Sequence, residues 1–190
     1  MGQIEVPSGW ASLDLAGIGG VVLIVGATDT GKTTLARHVY GRLLERHDSV
    51  AFVDGDMGQA TLGPPTTMTA AVGRFDEAGI PADGQRRRVF VGDISPTGHM
   101  LPTVVGARRL VDWAWDEGAT AAVFDTTGLV NPTSGGGALK LALVDLLQPE
   151  LVVGIQRGSE LEHLLVPLRR SERTRVVDHG VAAAVVRRGR

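Results

Sequence analysis

One stretch, GATDTGKTT at residues 26–34, constrains the fold of this chain more than any other. It matches the phosphate-loop pattern G-x-x-x-x-G-K-[ST] at every fixed position. The stretch follows the apolar run 21–25, and in the residues after it Leu35, Val39 and Leu43 recur at helical spacing. This order of buried strand, glycine-rich turn and amphipathic helix is the context that the pattern requires. The sequence therefore predicts a site for a nucleoside triphosphate.

The residue types in this loop each have a chemical reason. Glycine lets the backbone curl so that successive N–H groups point at an anion, and the helix that begins near Lys32 adds the positive end of its dipole. Lys32 is expected to reach the β- and γ-phosphates, and the Thr33 hydroxyl to ligate Mg²⁺. Asp29 is unusual, because a carboxylate should repel phosphate; it either caps a backbone turn or faces the phosphate acceptor. The predicted nucleotide-binding residues are Gly26, Ala27, Thr28, Asp29, Thr30, Gly31, Lys32, Thr33 and Thr34.

Short apolar runs alternate with longer helical patterns along the chain, which indicates successive βα units. Strands are predicted near 21–25, 50–54, 88–92, 121–125 and 150–155, with a last one near 181–187, and helices at 32–46, 99–117, 136–147 and 158–170. No repeat or linker divides the 190 residues, so residues 1–190 are expected to form one domain. We predict an α/β fold of the P-loop NTPase type, with a mostly parallel central sheet and helices on both faces.

Acidic residues follow two further apolar runs, where buried strands should end. Asp54 and Asp56 lie in FVDGDMGQ, and Asp125 lies in VFDTTGLV. Because ligands bind at the carboxyl ends of the strands in open α/β sheets, these acids are expected beside the phosphate loop. One acid can hold Mg²⁺ while another acts as general base for a substrate hydroxyl. DTTG at 125–128 also fits the D-x-x-G pattern of GTPase switch regions, but the sequence lacks an N-K-x-D-like element for guanine.

Composition excludes several kinds of chemistry. The chain has no cysteine, so disulfides, thiolate metal sites and thiol nucleophiles play no part. Its five His residues lack ligand spacing, and no zinc site is predicted. No apolar run approaches the roughly 20 residues that cross a bilayer, and the N-terminus lacks the order of a secretion signal. We expect a soluble, cytoplasmic protein with no membrane partner.

Together these motifs resemble the P-loop polynucleotide 5′-hydroxyl kinases, which include RNA kinases and the kinase-like subunit of the eukaryotic pre-mRNA cleavage complex. GATDTGKTT is similar to that family's phosphate loop, and FVDGDMGQ to its aspartate-x-aspartate-x-glycine-glutamine element. VGDISPTGHMLPTVVGARRLVD resembles its glycine-x-x-serine-proline segment, and VFDTTGLV its threonine-x-glycine segment. LLQPELVVGIQRGSELEHL is similar to the strand and helix before its lid. The resemblance covers about residues 10–175.

The resemblance implies transfer of the γ-phosphate of ATP to the 5′-hydroxyl end of RNA or DNA, with Mg²⁺. Lys32 would hold phosphate, and Asp56 would take the proton from the 5′-hydroxyl. Arg170 and Arg175, in a lid-like segment at about 157–178, match by spacing the arginines that close over the transferring phosphate. The implied metal-site residues are Thr33, Asp54, Asp56 and Gln59, and the implied acceptor-site residues are Ser95, Asp125, Thr127, Gly128 and Leu129.

Several alternatives remain open at this stage. Leu129 stands where eukaryotic members carry a large aromatic that stacks on a base, and only the kinase core of the family is expected here. A nucleotide-bound scaffold or switch with little turnover, using ATP or GTP, and a P-loop kinase for a small metabolite are therefore alternative functions. Ser95 either contacts the acceptor or caps the helix that follows. The triplet at 86–88 either meets a nucleic-acid backbone or forms a charged surface turn.

Overall fold

A seven-stranded sheet forms the centre of the computed structural model, which describes residues 7–73 and 84–182. The strands are β1 (Val21–Gly26), β2 (Val50–Gly55), β3 (Thr67–Val72), β4 (Gln85–Phe90), β5 (Ala121–Thr126), β6 (Leu151–Gln156) and β7 (Arg175–Gly180). The helices are α1 (Ser8–Ala11), α2 (Lys32–Leu44), α3 (Met100–Asp116), α4 (Gly136–Leu147) and α5 (Glu162–Ser171), with one 3-10 turn at Pro132–Ser134. None of these helices is both long and apolar enough to cross a membrane.

The strands are arranged in the order β4-β3-β2-β5-β1-β6-β7. The pairs formed by β2, β5, β1, β6 and β7 are all parallel, whereas β3 is antiparallel to both β2 and β4. Every residue of β1, β2, β5 and β6 is buried, because helices cover both faces of this part of the sheet. The predicted mostly parallel P-loop fold is confirmed.

Two hydrophobic cores lie on opposite faces of the sheet, and β1 shows how its sequence serves both. Val21, Leu23 and Val25 pack into the core shared with α3, α4 and α5. Val22 and Ile24 pack into the core shared with α1 and α2. This alternation follows from the two-residue period of a strand. The predicted helices on both faces are thus confirmed, and the loop after β1 is held between two packed layers.

The predicted elements differ from the observed ones mainly near the sheet edges. β3 was not predicted, because TMTAAV has small and polar residues and follows a Gly- and Pro-rich stretch. β4 begins at Gln85, earlier than the predicted strand at 88–92. The helix predicted at 158–170 is observed as α5, whereas the end of the segment predicted as lid-like, 157–178, supplies most of β7. Much of the strand predicted at 181–187 lies outside the described residues.

Candidate active site

The phosphate loop connects β1 to α2 and depends on two unusual backbone positions. Gly31 precedes α2 with φ 91°, and Asp29 has φ 55°. Both values lie in the left-handed region, where glycine is unstrained and Asp is tolerated better than most residues. A Cβ at Gly26 would lie 2.7 Å from the Thr30 hydroxyl and 2.8 Å from the Ile155 carbonyl oxygen, so only glycine fits there. The loop therefore has the curled backbone that an anion cradle needs.

Lys32 is the cation of this cradle. Its side chain is buried, and its Nζ donates to the Ala27 carbonyl oxygen at 2.8 Å, across the loop. Burial lowers the pKa of Lys32, while the nearby carboxylates of Asp125 and Asp56 oppose the change. An ammonium held at the mouth of the loop is placed to bind the phosphates that enter it.

Asp125, at the end of β5, meets the phosphate loop directly. The Thr33 hydroxyl donates to Asp125 Oδ2 at 2.6 Å. Burial raises the pKa of the Asp125 carboxyl from 3.8 to about 7, although the Thr33 hydrogen bond and the charge of Lys32 oppose the rise. Its other oxygen, Oδ1, is buried and finds no hydrogen-bond partner among the described residues. A hydroxyl beside a carboxylate that has one buried oxygen without a partner fits Mg²⁺, which takes one or two protein ligands and completes its shell with phosphate and water.

Asp54, at the end of β2, was predicted as a metal ligand, but its oxygens are already used. Oδ2 accepts hydrogen bonds from the backbone N–H groups of Thr61 (2.6 Å) and Leu62 (2.9 Å) and from the Thr61 hydroxyl (3.1 Å). Oδ1 accepts from the Asp56 N–H at 3.2 Å. Burial raises the pKa of Asp54 even though these bonds oppose the rise. Asp54 therefore fixes the turn at 54–62, and Asp125 is the acid beside Thr33.

A cleft of about 320 Å³ opens next to the phosphate loop. Asp56 lies in its wall, and Asp56 Oδ1 accepts hydrogen bonds from the N–H groups of Gly58 (3.2 Å) and Gln59 (3.1 Å). The cleft thus brings together residues of the phosphate loop and of three other segments that are distant in sequence. Its lining residues are Thr28, Asp56, Gly58, Gln59, Ile94, Ser95, Pro96, Thr127, Gly128 and Leu129.

The turn at 127–129 forms one wall of this cleft and packs tightly against the phosphate loop. A Cβ at Gly128 would lie 2.7 Å from the backbone nitrogen of Thr28, so a larger residue would force the two loops apart. The Leu129 N–H donates to the Thr127 hydroxyl at 3.2 Å, which closes the turn. Lys140 Nζ, from α4, donates to the Thr127 carbonyl oxygen at 2.8 Å. The turn is therefore fixed by two contacts, one with the buried Lys140 side chain of α4 and one with the phosphate loop.

Ser95 serves a turn of its own and also lines the cleft. Its N–H donates to Asp93 Oδ1 at 2.9 Å, and its hydroxyl accepts from the Thr97 N–H at 3.2 Å. The N-cap position of α3 is His99, whose side chain makes no capping hydrogen bond, and Ser95 lies outside that position. Ser95 therefore lies in the wall of the cleft, on a turn that precedes α3.

Comparison with known proteins agrees with this geometry. The family model described as mRNA cleavage and polyadenylation factor CLP1 P-loop matches residues 26–190. The chain belongs to this family. The resemblance that the motifs suggested is thereby confirmed.

The CLP1-family chain is similar to proteins about two and a half times its matched length. The polyribonucleotide 5′-hydroxyl-kinase of Methanocaldococcus jannaschii is 32% identical over 147 residues, which are 77% of this chain and 40% of that protein. That of Thermococcus kodakarensis is 34% identical over 149 residues, 77% of this chain and 41% of that protein. The chain thus spans about two-fifths of the length of these relatives. A solved Clp1p–Pcf11p complex matches with a TM-score of 0.70 at 14% identity, over 90% of this chain and 46% of that chain, which supports the fold.

The CLP1-family chain does not bring the two predicted lid arginines to the phosphate loop. β6 and β7 are parallel, so α5 between them returns to the amino edge of the sheet, and Arg170 lies near its end there. Arg175 begins β7 opposite Leu151, and its guanidinium donates to the Asp14 carbonyl oxygen at 2.6 Å and pairs with the Asp14 carboxylate at 3.3 Å. Their spacing matched the family pattern, but their positions contradict the predicted role.

Two residues that the sequence interpretation missed lie at the site of this CLP1-family chain. Arg157 follows β6 and donates to the carbonyl oxygens of Thr28 (3.5 Å) and Asp29. Lys140 is fully buried, and burial lowers its pKa from 10.5 to about 7. Lys140 could have been noticed, because it falls on the apolar face of the predicted helix at 136–147. No pattern distinguished Arg157 from the other arginines after it.

Proposed function

We propose that this chain is the catalytic core of an ATP-dependent polynucleotide 5′-hydroxyl kinase, which transfers the γ-phosphate of ATP to the 5′-hydroxyl end of RNA or DNA with Mg²⁺. The observation that carries the proposal is the cleft in which Asp56, Ser95 and the turn at 127–129 lie beside Thr28 of the phosphate loop. A carboxylate and an acceptor pocket next to a triphosphate cradle are what transfer to an alcohol needs. The names of the relatives favour a polynucleotide as that alcohol.

In the proposed reaction, each residue has one task. The Asp56 carboxylate accepts the proton of the 5′-hydroxyl as the 5′-oxygen attacks the γ-phosphorus. The bond from that phosphorus to the β–γ bridging oxygen breaks, so the products are a 5′-phosphorylated end and ADP. Lys32 neutralises charge on the β- and γ-phosphates, and the N–H groups of the loop hold the phosphates in place. The turn at 127–129 and Ser95 hold the terminal nucleotide so that its hydroxyl faces Asp56.

The residues around Thr33 fit the metal that this reaction uses. Thr33 and Asp125 would hold Mg²⁺, and a carboxylate oxygen without a partner among the described residues is available to it. Bound there, the ion would neutralise charge that develops between the β- and γ-phosphates. Asp54 is left out of this set, because its turn already satisfies both of its oxygens.

The test is a transfer assay with [γ-³²P]-labelled ATP or GTP and four acceptors: 5′-hydroxyl RNA, 5′-hydroxyl DNA, a nucleoside 3′-phosphate and glycerol. We expect label on polynucleotide 5′ ends, with ATP as the better donor. Asp56→Asn should lower kcat by about 10²–10⁴-fold while ATP still binds, because general-base catalysis is worth that much. Asp116→Asn, which removes an exposed carboxylate at the end of α3, is the matched control and should be as active as the native chain.

Each other outcome has a definite meaning. Undiminished transfer by Asp56→Asn would remove Asp56 as the base. Tight nucleotide binding without label on any acceptor would overturn the kinase proposal in favour of a nucleotide-bound switch. Label confined to the small acceptors would indicate a small-molecule kinase.

A further inference from the structure

The outermost strand, β4, carries three consecutive arginines and an exposed aromatic ring. Arg86, Arg87 and Arg88 are all exposed, and Phe90 is 72% exposed. Because side chains alternate along a strand, Arg86, Arg88 and Phe90 share one face. Val89, on the other face, lies against α3: a Cβ at Gly106 would come within 2.9 Å of its side chain. The shared face therefore points away from α3 and combines positive charge with an aromatic ring.

This face begins at the active-site edge of the sheet. Arg88 is opposite Thr69, Thr69 is opposite Asp54, and Asp54 is opposite Asp125. Neighbouring strands are about 4.8 Å apart, so the Cα of Arg88 lies about 10 Å from that of Asp54. Phe90 is two residues closer than Arg88 to the carboxyl edge of the sheet, where the active site lies. The face formed by Phe90, Arg88 and Arg86 therefore begins beside the active site and extends along β4 toward the amino edge of the sheet.

The chain after β4 links this face to the cleft. Ile94, four residues beyond Phe90, is 61% exposed and lines the cleft. Within residues 7–73 and 84–182, no carboxylate pairs with Arg87 or Arg88. Of these two, Arg88 lies on the face shared with Phe90. A cation that the described part of the chain leaves without an acidic partner, beside an exposed ring and next to an acceptor pocket, matches what single-stranded nucleic acid requires: charge for its backbone and a flat surface for a base.

We propose that the face of β4 formed by Arg86, Arg88 and Phe90 binds the nucleic-acid chain beyond its 5′-terminal nucleotide. The inference rests on the proposed function and extends it by naming where the body of the acceptor lies. Arg88 contacts a phosphate, and Phe90 stacks on a base close to the cleft. The ring supplies, from a different strand, the stacking surface that Leu129 cannot offer. The acceptor is therefore an extended single strand of several nucleotides, and its affinity falls with salt.

The test compares kcat/KM for a 12-nucleotide 5′-hydroxyl oligonucleotide with kcat/KM for a nucleoside 3′-phosphate, using the full chain. Arg88→Gln and Phe90→Ala should each lower this ratio by about tenfold. Arg88→Gln should also reduce the slope of log KM against log salt for the oligonucleotide by about 0.7. The matched controls are Arg173→Gln, an exposed arginine at the amino edge, and Leu101→Ala, a 76% exposed side chain on α3. Both controls should keep the native ratio.

Binding of a fluorescent 12-nucleotide strand, followed by anisotropy, gives a readout that does not depend on transfer. If no acceptor is phosphorylated but Arg88→Gln binds this strand about tenfold more weakly than Arg173→Gln does, the surface stands and the kinase proposal fails. If transfer occurs but the native ratio is near one, or Arg88→Gln and Phe90→Ala retain the native ratio, the surface proposal is wrong and the kinase proposal stands. Exposed charge on an edge strand also prevents sheet-to-sheet association, so removing Arg88 has a second route to lower activity. Size-exclusion chromatography of Arg88→Gln detects this self-association. Self-association of Arg88→Gln with unchanged strand affinity would overturn the proposal.

Discussion

The turns after β2 and β5 both begin with a buried aspartate, yet they hold it in opposite ways. Asp54 is 2% exposed and accepts four hydrogen bonds, all from its own turn. Asp125 is 1% exposed and accepts one, from Thr33 on α2, while its Oδ1 has no partner among the described residues. The difference teaches that burial at a strand end does not make an acid a metal ligand. What decides is whether the lone pairs are already used.

The turns also differ in what supports them. The turn after β2 closes on its own carboxylate, since every hydrogen bond that Asp54 accepts comes from that turn. The turn after β5 is tied to other elements, through Lys140 below it and Thr28 of the phosphate loop beside it. We therefore expect loss of the Asp54 carboxylate, which holds the first turn together, to act mainly on stability, and mutations around the second turn to act mainly on nucleotide chemistry.

The largest expected effect among the variants that test this comparison is that of Asp125→Asn. It should lower kcat for phosphate transfer by about two to three orders of magnitude, because a metal ligand is worth several kcal/mol of charge stabilisation. The free energy of unfolding should be unchanged or higher, since the substitution removes a buried charge with only one hydrogen bond. Steady-state kinetics and urea unfolding measure the two quantities. If Asp125→Asn lost stability and kept its activity, Asp125 would have the structural role assigned to Asp54, and the comparison would be reversed.

Asp54→Asn should have the opposite profile. The new amide places N–H groups against N–H donors of the turn, so the free energy of unfolding should fall by about 3 kcal/mol. The Mg²⁺ concentration for half-maximal activity should stay the same in the fraction that remains folded. Urea unfolding and a magnesium titration measure these effects, with Asp48→Asn, an exposed acid just before β2, as control. A large shift in magnesium dependence with native stability would return Asp54 to the metal site.

Sequence patterns predicted where Asp54 and Asp125 lie, but not how many hydrogen bonds each carboxylate accepts. The runs before Asp54 and Asp125 predicted buried strands, and the strand-end rule predicted that both acids lie beside the phosphate loop. The number of donors around each carboxylate depends on the path of the turn, which no spacing encodes. Asp54 was therefore assigned to the metal by motif, and the contact between Asp125 and Thr33 appeared only in three dimensions.

The edges of the sheet were the least predictable part of the fold. β3 lies between β2 and β4, and its alternate residues Met68, Ala70 and Val72 pack into the core shared with α3, but its small and threonine residues gave little hydrophobic signal in the sequence. The arginines after residue 156 are alike in sequence, so spacing alone selected Arg170 and Arg175. The parallel connection from β6 to β7 carries those two to the amino edge and leaves Arg157 at the phosphate loop.

A smaller effect concerns the cation beneath the second turn. Burial lowers the pKa of Lys140 to about 7, with Lys32 lowering it further and Asp56 and Asp125 opposing the change. The folded chain therefore releases this proton near pH 7, whereas the unfolded chain keeps it until near 10.5. The unfolded state binds more protons in that window, so the unfolding free energy should rise with pH, by about 2 kcal/mol between pH 7 and 9.

Lys140→Met is the variant that isolates this contribution. It should remove the rise in unfolding free energy above pH 7, as measured by urea unfolding at several pH values. Lys140→Arg should keep the positive charge throughout, because a guanidinium does not titrate in this range, and so it should also lack the rise. Equal pH slopes in the native chain and Lys140→Met would show that another group causes the dependence.

The smallest expected effect concerns Arg157, which contacts the phosphate loop where the turn after β5 packs against it. Arg157 donates to the carbonyl oxygens of Thr28 and Asp29, and Thr28 is the residue against which Gly128 packs. Because Arg157 is exposed and its acceptors are neutral, Arg157→Ala should weaken ATP binding only about two- to tenfold by calorimetry. Arg175→Ala removes another exposed arginine, at the opposite edge, and should leave ATP binding unchanged. Equal losses in both variants would mean that charge in general, and not contact with the loop, supports the nucleotide site.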